Sequence, residues 1–395
     1  MNRDTSIGRM LTLDAMRGGA ALAVVTYHAL GVAPRTAVTG WEAWLPQIAG
    51  YVVHFAFAGI YLFFVISGFC IHLFWAKGRA AGDQEPKINF FTFWKRRVRR
   101  LYPPYFAALA LYLCYLAYKT PVHVTGAYVW DVLLHVFMLH NLDLHTTYTI
   151  NGAFWTLAIE EQLYLAYFLL LFLRIRYGWT RTLLLCFSAR VVWVILGHVL
   201  SASLGIHIPI TEAAATNWFI WALGALSVEA ALGITKLPAW CFKLSAAGVA
   251  LGCAILLAQF LPLVDHHGWL HDIGWIAMHP AWGVGFFILV NYAVKAEQGW
   301  RLRSSPVPRL IPALASVGLI SYSLYLTHSF VIMHWYWFGF TRLHILTIAV
   351  LIMTPLSVVF AWLFFRVFER PFMTSSAAKT ARAKSVNTAL AREVA

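Results

Sequence analysis

Charge is what this sequence has least of. Asp, Glu, Lys and Arg together make up 12% of its 395 residues, about half the share of an ordinary soluble domain. With 61% hydrophobic residues and a mean hydropathy of +0.68, too little polar surface remains to clothe a water-soluble core. A soluble fold is excluded, and one membrane domain replaces the two or three soluble domains that the length would otherwise suggest. Acids are scarcer still, 16 against 30 Lys and Arg, so each one inside an apolar run needs a reason. Cysteine is also sparse: Cys70, Cys114, Cys186, Cys241 and Cys253 stand singly in apolar stretches, with no CxxC and no metal-like spacing. That argues against a disulfide framework and against zinc. No internal repeat is visible, which counts against the repeat-built transporters.

What the chain has in abundance is long apolar runs. Runs of about 20 residues predict ten membrane spans, near 11–30, 51–74, 101–118, 153–173, 182–200, 213–232, 245–263, 274–294, 314–338 and 345–367. The predicted fold is therefore an all-α polytopic membrane helix bundle. With the N-terminus inside, 25 of the 30 Lys and Arg fall on the cytoplasmic side, Arg35, Lys119 and Arg342 on the other, and Arg17 and Arg190 within spans. Both termini are thus expected in the cytoplasm. Residues 1–373 form the membrane domain, and 374–395 a short basic, loosely ordered tail. The net charge of +14 does not point to nucleic acid, because basic loops against an anionic leaflet account for it. The start of the chain is signal-like, with GGAALAVVTY followed by Gly31-Val32-Ala33. Cleavage there would remove Arg17 and His28, so the segment is kept as the first span. Segment 119–152, with His135, His140 and VLLHVFML, reads as a re-entrant or interfacial helix.

Four acids, Asp14, Glu160, Glu161 and Glu229, fall inside spans, where an ionised group costs at least ~2.5 kcal/mol. In LDAMRGGAALAVVTYH, Asp14 and Arg17 are three apart and can pair, and His28 follows Arg17 by eleven residues, roughly 16 Å along one helix face. An orientation pair with a headgroup-level histidine is the plainer reading of the same residues. Ser67-Gly68 gives a place where backbone can approach another helix or a ligand. In FWKRRVRRLYPPYF, Arg97 and Arg100 share a face; their planar forks suit phosphate, although lipid headgroups would serve too. Pro103 and Pro104 read as breaking or starting the following span. Glu160 shares a face with Thr156 and Tyr164, whereas Glu161 points about 100° away. Ser321, Tyr325 and His328 align on one face further on. His266, His267 and His271 offer metal-ligand types, but solvated loop histidines explain them as well, and no metal is expected.

Taken in order, LDAMRGGAALAVVTYH, LFFVISGF, RRVRRLYPPY, WTLAIEEQLYL, SVGLISYSLYLTH and FFRVFERPF resemble the integral-membrane acyltransferase type 3 family across nearly the whole chain. The resemblance implies an enzyme of the bacterial inner membrane. It would move an acyl group, usually acetyl, from cytoplasmic acyl-coenzyme A to a hydroxyl of a carbohydrate or glycoconjugate. It maps the family's basic residue and histidine onto Arg17 and His28, its RxxR onto Arg97 and Arg100, its serine-glycine-phenylalanine onto Ser67, Gly68 and Phe69, and its acid onto Glu160. Gly19 departs from the usual branched apolar residue. Some members append a soluble hydrolase-like domain, for which this length leaves no room. On this reading His28 is a general base and Glu160 an acid that orients it, with Arg17 completing the catalytic set. Arg97, Arg100, Ser67 and Gly68 would hold the donor, and Asp14, Glu161, Tyr164, Tyr325 and His328 are further candidates. Direct transfer and an acyl-histidine both remain open, as does the oligomeric state. The rival from another class is a proton-coupled secondary transporter using the same Glu and His residues as a relay.

Overall fold

The computed structural model describes residues 10–32, 55–119, 123–264, 268–303, 306–334 and 348–373. Among them the regular structure is helical throughout, without a strand. The helices are α1 (Leu11–Val32), α2 (Gly59–Ala80), α3 (Phe90–Lys119), α4 (Gly126–Val136), α5 (Trp155–Leu204), α6 (Ala214–Ala231), α7 (Leu244–Phe260), α8 (Gly268–Arg303), α9 (Leu310–Leu319), α10 (Ser321–Met333) and α11 (Thr354–Phe364). Two π-helical turns, Ile348–Met353 and Phe365–Glu369, flank α11. The expected basic tail, His266, His267 and the side chain of His271 lie outside the described residues. All five cysteines are free thiols.

Six described helical segments are long and apolar enough to cross a membrane, and α9 with α10, bent by 74°, makes a seventh if the pair is one span. Ten were expected, and two physical features account for most of the difference. At 50 residues, α5 would be about 75 Å long, far beyond a hydrocarbon core of about 30 Å. It breaks at Gly178, which takes φ 73° and ψ 173°, into the two runs that the sequence suggested as separate spans. Neither α1 nor α6 passes the same apolar test, because they carry Asp14, Arg17 and His28, and Asn217 and Glu229. Segment 119–152 holds the eleven-residue α4, roughly 16 Å long and too short to cross, followed by a 3-10 turn at His140–Leu142.

Close helix contacts rest on glycine. A Cβ on Gly68 would lie 2.0 Å from the Trp221 carbonyl oxygen, and one on Gly224 1.9 Å from that of Val65, so α2 and α6 touch backbone to backbone. In the same way Gly18 and Gly318 join α1 to α9, at 2.0 Å from the Leu314 oxygen and 1.8 Å from the Asp14 oxygen. Gly19 has open space around it, so the departure from the family pattern there leaves the packing untouched. Gly224→Ala is expected to lower stability by about 1–3 kcal/mol through overpacking, read as a fall in thermal unfolding temperature in detergent. Gly19→Ala, with open space inside a helix, should instead raise stability by about 0.4–1 kcal/mol, because alanine loses less backbone entropy.

Three buried charged residues away from these contacts are each tied down by several hydrogen bonds. Glu229 accepts from Arg174 Nε and Nη2, both at 2.7 Å, from Trp179 Nε1 at 2.8 Å and from Thr235 Oγ1 at 2.7 Å, and pairs with His72 Nε2 at 3.0 Å. Arg174 and Trp179 stand on opposite sides of the Gly178 break, so this carboxylate fixes the bend in α5 against α2 and α6. The in-span acid of the sixth predicted segment is thus a structural tie. Arg190 donates to the carbonyls of Ile276, Thr216 and Trp275. Glu297 caps α1, accepting from Leu11 N at 3.0 Å and from Thr12 N and Oγ1 at 2.7 and 2.6 Å.

Candidate active site

A cavity of about 400 Å³ lies between α1, α2, α3, α5 and the α9–α11 end of the chain. Arg97 and Arg100, three apart on α3, stand on its wall with Glu369 from the π-helical turn after α11. The Arg97 guanidinium sits 5.4 Å from the Phe93 ring centroid and 5.7 Å from that of Tyr164, a cation held between two aromatic faces. Its buried Nε has no hydrogen-bond partner among the described residues. Glu369 is buried and accepts from Ser323 N at 3.2 Å and Ser323 Oγ at 2.5 Å. The sequence suggested that Pro103 and Pro104 break or start the following span; instead α3 runs through them from Phe90 to Lys119. Because proline carries no N–H, the carbonyls of Arg99 and Arg100 lose their helical donors at this end of the cavity.

Further along the wall, Arg17 Nη2 donates to Cys70 Sγ at 3.0 Å and Nη1 approaches Asp14 Oδ1 at 3.5 Å. Glu160 and Tyr164, one turn apart on α5, line the same stretch and interact electrostatically with Arg17. Ser67, also on the wall, accepts from Trp221 Nε1 at 3.2 Å. At the opposite end Thr156 Oγ1 donates to the Tyr325 hydroxyl at 2.7 Å. The Tyr325 ring, on the wall, lies 5.6 Å from the ring of His328.

Behind Tyr325 two imidazoles meet. His28 Nδ1 and His328 Nε2 are 3.0 Å apart and the rings stack at 5.0 Å. His328 Nδ1 lies 2.8 Å from the Tyr325 carbonyl oxygen and 3.1 Å from that of Leu324. A carbonyl only accepts, so Nδ1 of His328 carries the proton, and in the neutral ring Nε2 is left as an acceptor. The hydrogen that joins the two rings therefore belongs to His28 Nδ1, and the network assigns the lone pair of His28 to Nε2.

Residues 10–366 match the family described as an acyltransferase domain. The chain belongs to the acyltransferase type 3 family. It is 25% identical over 344 residues to the O-acetyltransferase OatA of Staphylococcus aureus, a match covering 80% of this chain and 49% of that protein. Over 191 residues it is 27% identical to the peptidoglycan O-acetyltransferase OatA of Listeria monocytogenes, covering 44% of this chain and 26% of that one. The chain spans about half the length of the Staphylococcus relative, and no solved structure matches it.

Within this acyltransferase, Asp14, Arg17, Ser67, Arg97, Arg100, Glu160, Tyr164 and Tyr325 share one cavity wall. Four candidates stand elsewhere: His28 and His328, paired behind Tyr325, and Gly68 and Glu161. Gly68 is off the wall because its α-carbon abuts α6, so it packs helices and does not touch a ligand in the cavity. Glu161 points to Tyr102 of α3, as expected for a residue 100° around the helix from Glu160. Glu160 lies with Arg17, while the group bonded to His28 is His328. Sequence reasoning passed over Cys70 and Glu369. Glu369 had a signal, since FFRVFERPF was one of the motifs, but it lies two residues beyond the last apolar run.

Proposed function

We propose that this acyltransferase moves an acetyl group from acyl-coenzyme A, entering from the cytoplasm, to a hydroxyl of a carbohydrate or glycoconjugate on the other side of a bacterial inner membrane. The observation that carries the reading is the order of groups: the guanidinium donors of Arg97 and Arg100 on the wall of one cavity, and, behind Tyr325 of the same wall, a histidine pair whose hydrogen bonds leave His28 Nε2 as an acceptor. Arg97 and Arg100 fit the donor's phosphates, Arg97 having a buried Nε still to be satisfied. The carbohydrate acceptor is supported by the Listeria relative, whose name gives peptidoglycan. The orientation is supported by the 25 of 30 cations on one side.

The chemistry follows from the imidazole pair. His28 Nε2 takes the proton of the acceptor hydroxyl as its oxygen bonds to the thioester carbonyl carbon. The carbon–sulfur bond then breaks, and the imidazolium returns the proton to the leaving thiolate. The products are an acetyl ester and the free thiol. Eleven residues separate Arg17 from His28, roughly 16 Å of helix rise, so one acyl carbonyl cannot touch both. Arg17, neutralised by Asp14 and Glu160, belongs to the path of the donor's arm, and Glu160 holds that cation in place.

Purified protein given labelled acetyl-coenzyme A should release or transfer acetyl; a folded preparation that does neither sinks the reading. Arg97→Ala or Arg100→Ala should weaken donor binding by about 1.5–3 kcal/mol each, with lysine rescuing only in part because it lacks the fork. Unchanged donor affinity in a folded double variant would put the phosphates elsewhere. Reporter fusions after Lys87, Arg176 and Arg303 should report cytoplasm and those after Thr39 and Asp265 the other side; the reverse pattern would overturn the direction of transfer.

A further inference from the structure

A second cavity, about 270 Å³, adjoins the first. The two share Cys70, Ile71 and Arg97 as walls, so the Arg97 guanidinium stands at their junction. Beyond it the second cavity is lined by Phe74 from the end of α2, by Lys87, Ile88 and Asn89 from the loop before α3, and by Thr92, Phe93 and Arg96 from the first turns of α3. Three of these groups are cations, Lys87, Arg96 and Arg97. The loop's own acids, Asp83 and Glu85, are not on the wall. Phe74 is 61% exposed, a free aromatic face beside the cations. Asn89 Oδ1 already accepts from Thr92 N at 2.9 Å, which leaves its amide N–H groups to donate outward. The N-terminus of the 30-residue α3 adds its positive end to the same place.

We propose that this second cavity is a binding subsite for an adenosine nucleotide carrying a ribose phosphate, the far end of the coenzyme donor. It rests on the coenzyme reading above and extends it beyond the quoted motifs to Phe74, Lys87 and Asn89, with Arg96 from the edge of RRVRRLYPPY. The chemistry matches part by part. A diphosphate at the junction meets Arg97, the arm runs from there into the first cavity toward Arg17, and the nucleotide turns the other way. Lys87 and Arg96 then meet the ribose phosphate, and the purine stacks on Phe74, as a flat π-system does on an exposed ring. Anionic lipid headgroups share the phosphate chemistry, but a purine-sized aromatic face and an amide donor add nothing to lipid recognition.

The test uses the full chain in nanodiscs and three donors: acetyl-coenzyme A, its 3′-dephospho form and S-acetyl-4′-phosphopantetheine. The wild type should prefer acetyl-coenzyme A over the phosphopantetheine by at least about tenfold in kcat/KM, and adenosine 3′,5′-bisphosphate should compete with the intact donor; both readouts need no variant. In Lys87→Ala/Arg96→Ala that preference should fall about tenfold or more, with most of the fall already reproduced in the wild type by removing the 3′-phosphate. Phe74→Ala should weaken inhibition by the bisphosphate, while Phe74→Trp should retain it. The subsite is overturned if the wild type uses both thioesters equally, if the bisphosphate does not compete, if the double variant slows all three donors alike, or if its effect disappears in nanodiscs without anionic lipid. Any of these with acetyl-coenzyme A still turned over removes the subsite alone. No turnover of any thioester by folded wild type removes the coenzyme reading with it.

Discussion

Replacing His28 by alanine should cost at least about 10³-fold in transfer rate and leave donor affinity within about twofold of the wild type. The first figure comes from losing a positioned general base, typically worth 10²–10⁴-fold, against an alcohol nucleophile that is almost wholly protonated at neutral pH. The second comes from geometry. The phosphate-binding candidates Arg97 and Arg100 line the end of the cavity opposite Tyr325, and His28 sits behind Tyr325 against His328, so truncating the imidazole leaves the donor's anchors in place. The measurement is a split between kcat and the donor's dissociation constant. His28 is neither capping a helix nor filling a glycine contact, and His328 keeps its own Nδ1 bonds to backbone carbonyls. A folded, coenzyme-binding His28→Ala protein that transfers at a near-normal rate would remove the base from His28.

How much of this site could be read from the sequence depends on what a helix period reports. Spacing fixes which residues share a face: Arg97 with Arg100, and Glu160 with Tyr164, were each legible, and each pair stands on one cavity wall. The scarcity of acids made Asp14, Glu160 and Glu229 conspicuous, although it could not say that Glu229 is a tie for a bent helix. Depth within a span, by contrast, gives no azimuth. Glu160 and His328 lie at comparable depth on separate helices; the sequence reading made Glu160 the orienting partner of His28 and His328 only a further candidate, whereas the structure pairs His28 with His328, 300 residues away. Hydropathy also ends where the apolar run ends. Glu369 lies past that point, yet the chain continues through a π-helical turn, Phe365–Glu369, that brings the carboxylate back to Ser323. Two of the ten predicted spans fall short of the apolar test for a related reason: α1 and α6 carry polar groups that the interior encloses, Asp14 and Arg17 in one, Asn217 and Glu229 in the other.

His328 itself should be the second most damaging position to change, through the tautomer of its neighbour. Its Nδ1 is committed to carbonyl oxygens, so its Nε2 accepts the Nδ1 proton of His28 and thereby leaves His28 Nε2 free to take the acceptor's proton. It touches no substrate in this scheme and is a positioning residue. His328→Met keeps bulk but offers only a weak sulfur acceptor, letting His28 turn or adopt the other tautomer, and kcat should fall on the order of 10²-fold or more, as expected when the orienting partner of a histidine base is lost. His328→Gln can reach the same point with a carbonyl oxygen that still accepts from Nδ1, so it should recover much of that loss. His328→Lys, a donor only, should do worse than methionine because it forces the proton off His28 Nδ1. The donor's KM should stay nearly constant through all three, which a merely structural role would not give, since misfolding would lower binding and rate together. The ranking glutamine above methionine above lysine in kcat is the signature of hydrogen-bond polarity; equal rates in the three folded variants would leave His28 without an orienting partner in His328.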